Sequence, residues 1–426
     1  MTSNPNAFDP PRNGGATSGA ALRFLQLSAR LLLEYNVRSK SIERRIERIA
    51  SHLGVDVQTI VGYREVTLTL ADGRTLHAQA RELRIDVAIS AGAIHVIDEL
   101  CLDRIGIDEA THSLEMLEPL APRHGRWVVA VLFGLAAAAI AWLLRADWGA
   151  IAVSGVSSAL GLIARRELAK RSVTLFAQPF AAGLIGAALG GLAIRLGWTQ
   201  TPGFCLIVPA LMLVPGPHLI NGVYDMFENH IQTGVSRLAL ATGVLIATAL
   251  GVVLGGWLTL GPTTLSTAPS EAIPLTLVLD AALAGVAACG FGAFYNAPWR
   301  VLWVSILCGV VGHGLRYLCL DYLGVVMSTL LACLAIGLIA NVAANRMHLP
   351  FSAVAFAGAV PMMPGVFIYQ SIAGAMRLSA AGTSADPAIA AATLALSFKS
   401  VFVVGAIAIG LLIGARLANL AHHSGQ

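Results

Sequence analysis

Charge is scarce in this 426-residue sequence: 12% of its residues are Asp, Glu, Lys or Arg, 56% are hydrophobic, and the mean hydropathy is +0.72. A soluble chain of this size could not cover its surface with so few charges. Those present are unevenly placed. Before Trp127 lie 16 of the 24 acids and 15 of the 28 bases, which leaves 8 and 13 for the last 300 residues. A solvated first part and a lipid-dissolved second part follow from that asymmetry. No CxxC pair occurs among the six cysteines, and Cys205, Cys289, Cys308, Cys319 and Cys333 all sit in apolar segments. They read, with Cys101, as small packing groups rather than disulfide or metal partners. No Lys/Arg-rich run interleaved with aromatics is present, so the net charge of +4 fits basic loops beside a membrane, not a nucleic-acid partner. His52, His77, His95, His112 and His124 lack metal-ligand spacing, and no nucleophile is paired with a base by motif. No metal, cofactor or enzymatic reaction is expected. Residues 1–20 lack the basic stretch and apolar core of a signal peptide and read as a disordered tail.

Residues 21–122 read as a small α+β cytoplasmic domain. Phe24, Leu27, Leu31 and Leu32 repeat at helical spacing, and a break follows at Asn36-Val37-Arg38. Ser39 or Ser41 can cap a second helix with Ile42, Ile46, Ile49 and Leu53 as its buried stripe, ended by Gly54. Val66–Leu70 alternates like a strand, Asp72-Gly73 is a hairpin turn, and Thr75–Gln79 is the returning strand. Helices are expected over 91–104 and 108–118, the second capped by Asp108, before Pro119 and Pro122 close the domain.

Spanning a bilayer takes about 20 apolar residues. Ten segments qualify: 127–145, 148–164, 173–195, 202–223, 235–260, 274–296, 300–319, 322–344, 350–375 and 388–415. Two share a pattern. Met212-Leu-Val-Pro215-Gly216 and Pro361-Met-Met-Pro364-Gly365 each break an apolar helix, and five residues beyond each Gly stands an amide, Asn221 or Gln370. Pro364 follows Pro215 by 149 residues, and adding 149 to the start of each early span lands within four residues of a later one. A five-helix unit over 123–265 is therefore repeated over 270–417. Five is odd, so the second copy enters the membrane from the opposite side, and the fold class is an all-α polytopic membrane protein built from two inverted repeats. Ten bases, Arg165, Arg237 and Arg346 among them, fall on the side of the N-terminal domain. The other side has four: Arg145, Arg195, Arg316 and Arg377. Both termini are then cytoplasmic, in a bacterial inner membrane.

A Pro-Gly break frees backbone groups, which hydrocarbon tolerates only where they face protein or a watery cavity. Matching breaks in two halves are the best sequence pointer to a substrate site. Pro215, Gly216, Asn221, Pro364, Gly365, Tyr369 and Gln370 are the candidate binding residues, and Pro209 and Pro361 reinforce the breaks. Lys399 lies about 17 Å along its span, near the bilayer centre, and needs a cavity or a partner. Asp280 is the candidate partner or proton carrier, and Asp225 and Glu228 are expected at the cytoplasmic mouth of the first broken helix.

These features together resemble the threonine/serine exporter family. The resemblance runs from about Leu22 to Leu417. It rests on Leu31-Leu-Leu-Glu-Tyr-Asn-Val-Arg-Ser39-Lys-Ser-Ile-Glu43, on His52-Leu53-Gly54, on the two Pro-Gly breaks, and on the order of soluble domain and two five-helix units. Asn36 stands where the family usually has Gly, and Asn also tolerates a left-handed turn. The resemblance implies proton-driven export of small hydrophilic metabolites, with the bilayer, a small amino-acid or carboxylate substrate and protons as partners. Self-association is left open. Threonine and serine are the leading substrates, because one lysine with amides suits a zwitterion that must be released. A dicarboxylate such as succinate is the alternative. A membrane-anchored enzyme or sensor acting through the N-terminal domain is a third class, disfavoured because an anchor has no need of ten spans.

Overall fold

The computed structural model describes residues 17–119, 123–171, 173–261, 275–347, 349 and 351–423. The chain divides into two compact units. One runs to Arg84 and resumes at Ile89; the other comprises Ile85–Ala88 and the chain beyond the α+β domain.

The first unit contains α1 (Thr17–Glu34), α2 (Ser39–His52), β1 (Val57–Val61), β2 (Glu65–Leu70), β3 (Thr75–Gln79), most of α3 (Val87–Cys101), and α4 (Ile107–Leu117). Its strands form one antiparallel sheet in the order β1-β2-β3, with Val66 opposite both Val61 and Ala78. Phe24, Leu31, Ile42, Ile46, Val66, Leu68, Ile97 and Leu114 close one core. Asn36 adopts φ 59°, the left-handed turn that the resemblance implied, and Gly73 adopts φ 83° in the hairpin. Two expected caps are corrected. α2 is preceded by Arg38, whose side chain makes no cap, and Ser39 is already helical. Asp108 lies inside the first turn of α4, where it favours the positive helix end, and Gly106 is the capping residue. β1 was not expected: it is an edge strand with mostly exposed or half-buried side chains, so its hydrophobic alternation is weak.

The second unit is helical. In order come α5 (Arg126–Leu143), α6 (Trp148–Lys170), α7 (Ala177–Arg195), α8 (Pro202–Leu211), α9 (Gly216–Phe227), α10 (Ile231–Leu260), α11 (Leu277–Phe294), α12 (Trp299–Met347), α13 (Phe351–Ala359), α14 (Gly365–Ala381) and α15 (Pro387–His423). Seven described helices are long and apolar enough to cross a membrane, and counting the bent pairs α8–α9 and α13–α14 as single spans makes nine. Both pairs bend by 58°, and Pro215 and Pro364 occupy the same capping position before helices that begin at Gly216 and Gly365. α12 has 49 residues, but Gly324 at φ 68°, ψ 178° breaks it. Its two segments fold back on one another: Gly312 faces Ile336, and Arg316 Nε donates to Thr329 Oγ1 at 3.3 Å.

Small residues let the helices approach backbone to backbone. Gly251 and Gly255 of α10 rest on the carbonyls of Phe180 and Leu184 in α7. Gly410 and Gly414 of α15 rest on those of Leu330 and Leu334 in α12. At all four, a methyl group would collide with the neighbouring backbone.

Candidate functional site

The two Pro-Gly breaks meet. A methyl group built on Gly216 would overlap the Phe356 ring of α13, and one on Gly365 would lie 2.7 Å from Leu211 Cδ2 of α8. Tyr369 Oη donates to the Ala210 carbonyl at 3.1 Å. The space between the breaks is a cavity of only about 50 Å³, walled by Leu211, Val214, Phe356, Val360 and Met363. It is not the polar cavity expected there. Local hydrogen bonds satisfy several of the freed backbone groups, with Gly216 N donating to Val214 O, His218 N to Pro215 O, Met363 N to Val360 O and Ile368 N to Pro364 O.

A larger cavity, about 620 Å³, opens beside the breaks among α8, α10, α14 and α15. Tyr369, Gln370, Arg377 and Thr393 supply its polar wall, and Trp257 and Ile207 part of its apolar one. Pro215, Gly216, Asn221, Pro364 and Gly365 do not line it. Gln370 and Arg377 are seven residues apart, two helical turns, and so present one face of α14. Reading Arg377 as an outer loop charge missed this; its spacing from Gln370 was the available signal. Lys399 lies about one turn beyond Leu396 of the cavity wall, with Nζ 4.4 Å from the centre of the Phe367 ring. It does not reach Asp280.

Asp225 is not an exposed loop charge. It lies within α9, wholly buried, 3.3 Å from the equally buried Arg237 of α10. His218, Asn221 and Asp225 follow at three- and four-residue intervals, so they share a helix face, and all three are buried. Glu228 caps the end of α9 and is half-buried. The ion pair also removes Arg237 from the loop charges. Asn221 and Gln370 each stand five residues beyond the glycine of a break, yet one is sealed beside an ion pair and the other lines the open cavity.

A second buried pair holds Asp280. Its carboxylate lies 2.5 and 2.7 Å from His313 Nδ1, and both residues are buried. Arg316, one turn beyond His313 in α12, is the nearby cation. The sequence signal at His313 is an imidazole within an apolar segment, a group that membrane interiors hold with a partner. Among the described residues, no three His, Cys, Asp or Glu side chains converge on a metal position.

Apolar helices, two bent pairs, ionisable groups paired in the interior and a cavity among the helices mark a polytopic membrane protein. Residues 23–258 match the family described as "Putative threonine/serine exporter", and residues 280–416 match "Threonine/Serine exporter, ThrE". The chain belongs to the threonine/serine exporter family, with both parts fused. It is 24% identical over 271 residues to a "Threonine/serine exporter" of Corynebacterium glutamicum, covering 62% of this chain and 55% of that protein. It is 26% identical over 317 residues to a "Probable threonine/serine exporter" of Mycobacterium tuberculosis, covering 70% and 58%. It is also 27% identical over 240 residues to a "Probable succinate transporter subunit YjjP" of Klebsiella aerogenes, covering 55% of this chain and 92% of that protein. No solved structure matches the chain.

Proposed function

We propose that this protein is a secondary exporter of threonine and serine, driven by protons across a bacterial inner membrane, with both termini cytoplasmic. The observation that carries the reading is the 620 Å³ cavity walled by Tyr369, Gln370, Arg377 and Thr393. One guanidinium can neutralise a substrate carboxylate, and the amide and hydroxyls can hold the ammonium and side-chain hydroxyl. A single cation in the wall favours a zwitterion that must be let go over a dianion held by several.

The architecture we infer has ten spans in two inverted repeats. A straight helix of 49 residues would be about 73 Å long, roughly twice a bilayer, so the break at Gly324 divides α12 into two spans. Arg237 and Arg316 leave the loop count, yet the base excess on the side of the soluble domain persists, which supports the orientation. In inverted repeats, Asn221 and Gln370 belong to opposite faces of the membrane. The cavity at Gln370 is then the open, outer vestibule, and the Asp225–Arg237 pair is the closed inner gate. The buried Asp280–His313 pair is our candidate for the proton carrier, since ionisable groups inside a membrane segment mark such pathways.

Cells lacking the protein, fed a dipeptide containing Thr or Ser, should accumulate the free amino acid and clear it when the gene is restored. Normal clearance in the deletion strain would remove this reading. Trapping of succinate instead would promote the second reading, a dicarboxylate exporter, which the succinate-transporter relative favours.

A further inference from the structure

The second unit has another large cavity that the transport reading does not use. It occupies about 650 Å³ where the start of α5, the end of α6 and the end of α11 come together. Arg126, Arg166 and Lys170 line it. Two acids also line it, and both have partners: Asp86 accepts from Asn296 Nδ2 at 2.8 Å, and Glu167 pairs with Lys170 at 3.0 Å. Arg123, Arg165 and Arg171 adjoin the lining residues in sequence, so cations outnumber acids at this end.

The depth of the cavity in the membrane follows from tryptophan. Trp127 lines it, 60% exposed, and Trp299 nearby is 59% exposed, with its ring 4.4 Å from His124. Exposed tryptophans flanked by Arg126 and Arg300 are the signature of the boundary between hydrocarbon and headgroups. Val128 and Val131 continue the exposed apolar face of α5 from there. Ala130, Leu162 and Phe294 make the remaining wall apolar. A free inorganic anion has no use for such a wall, whereas the glycerol backbone and first acyl carbons of a lipid do. His124 adds selectivity. It is buried at the cavity wall, its Nε2 lies 2.7 Å from the Ala297 carbonyl and therefore carries the proton, and its Nδ1 has no partner. An acceptor left there suits a hydroxyl donor.

We propose that this cavity binds the headgroup of an anionic glycerophospholipid that carries free hydroxyls, the chemistry of phosphatidylglycerol. Arg126, Arg166 and Lys170 neutralise the phosphodiester, His124 Nδ1 accepts from a headgroup hydroxyl, and Trp127 packs on the glycerol. The bound lipid bridges α5 and α6 of one repeat to α11 of the other, so it holds the two halves together at this boundary. The inference rests on the membrane class and the local geometry, and it is independent of which substrate is exported.

Purified full-length protein in detergent, stripped of lipid, would be titrated with phosphatidylglycerol, phosphatidylcholine or water-soluble glycerol 3-phosphate. Bound lipid is counted by native mass spectrometry, and melting is followed in parallel. Phosphatidylglycerol should be retained and should raise the melting midpoint, whereas phosphatidylcholine should do neither. Replacing the three cations together (R126Q, R166Q and K170Q) should weaken phosphatidylglycerol binding by roughly 100-fold. The matching charge-preserving variant (R126K and R166K) should retain it, which separates lost charge from lost folding. Equal retention of phosphatidylcholine, or undiminished binding by the triple variant, would overturn the proposal. Displacement of the lipid by glycerol 3-phosphate at similar concentration would overturn it in favour of a soluble anion.

Discussion

Asp225 and Arg237 provide a quantitative test of the interior. Both side chains are fully buried and 3.3 Å apart, so each compensates the other's charge where water cannot reach. Removing one partner strips a buried charge of that compensation, a loss of about 3–5 kcal/mol. Removing both also abolishes the desolvation cost, so the double variant should recover most of the loss. We expect Asp225→Asn and Arg237→Met each to lower the melting midpoint of the detergent-solubilised protein by roughly 5–10 °C. Asp225→Asn/Arg237→Met should sit nearer wild type than either single variant. The same variants report on gating. If the pair closes the inner side, its loss shifts the balance between closed and open forms by up to about 150-fold for 3 kcal/mol. Uphill export should then fail in the double variant even though its stability has returned. Melting shifts that simply add would refute the ion pair as a unit. Normal export by the double variant would refute the gate while leaving the pair as scaffold.

Arg377→Gln should cut export at least tenfold while leaving melting unchanged, with Arg377→Lys intermediate, because the side chain lines the cavity and supports nothing in the core; transport in reconstituted vesicles checks this. Asp280→Asn and His313→Gln should each abolish uphill export but spare substrate exchange across vesicles, which needs no net proton movement, and preserved accumulation against a gradient would exclude the pair from coupling. Lys399→Met should abolish export with normal membrane insertion, since it removes the charge and keeps most of the volume, and unchanged export would reduce Lys399 to its contact with Phe367. In the soluble unit, hydrogen bonding to Arg30 holds the Glu118 carboxyl below its ordinary range. That contribution to stability is therefore present above the usual glutamate value and is lost as pH falls through the lowered one. Hydrogen exchange in α4 of the full-length protein should accelerate over that acidic window in wild type, with a weaker pH dependence in Arg30→Gln.

Local rules carried much of the fold. Hydropathy delimited the apolar helices because hydrocarbon imposes a length and excludes charge, and both Pro-Gly breaks were legible because proline removes a donor wherever it falls. Asn36 was readable for the same reason, since few residues accept φ 59°. What could not be read was partnership. Arg237 and Arg316 stand near predicted span ends, where a base normally reaches water, and only the folded chain shows one paired with Asp225 and the other bonded to Thr329. Asp280 was singled out, yet its companion His313 lies 33 residues away at no helical interval, while Lys399 turned to an aromatic face. The breaks were expected to frame a polar space because their freed backbone groups were counted as unsatisfied. Local hydrogen bonds satisfy several of them, and the larger cavity opens beside the breaks rather than between them.

The glycine contacts of α10 on α7 and of α15 on α12 bear on how such a molecule could move. Two helices packed so closely at these glycines are suited to travelling together as one stiff beam. Any rearrangement that swaps which face of the membrane is open has to be absorbed elsewhere, at the bends beside Pro215 and Pro364, where two short helical rods meet end to end. The same glycines that seem to ask for flexibility thus make the girders, and the prolines, usually cast as stiffeners, mark the joints.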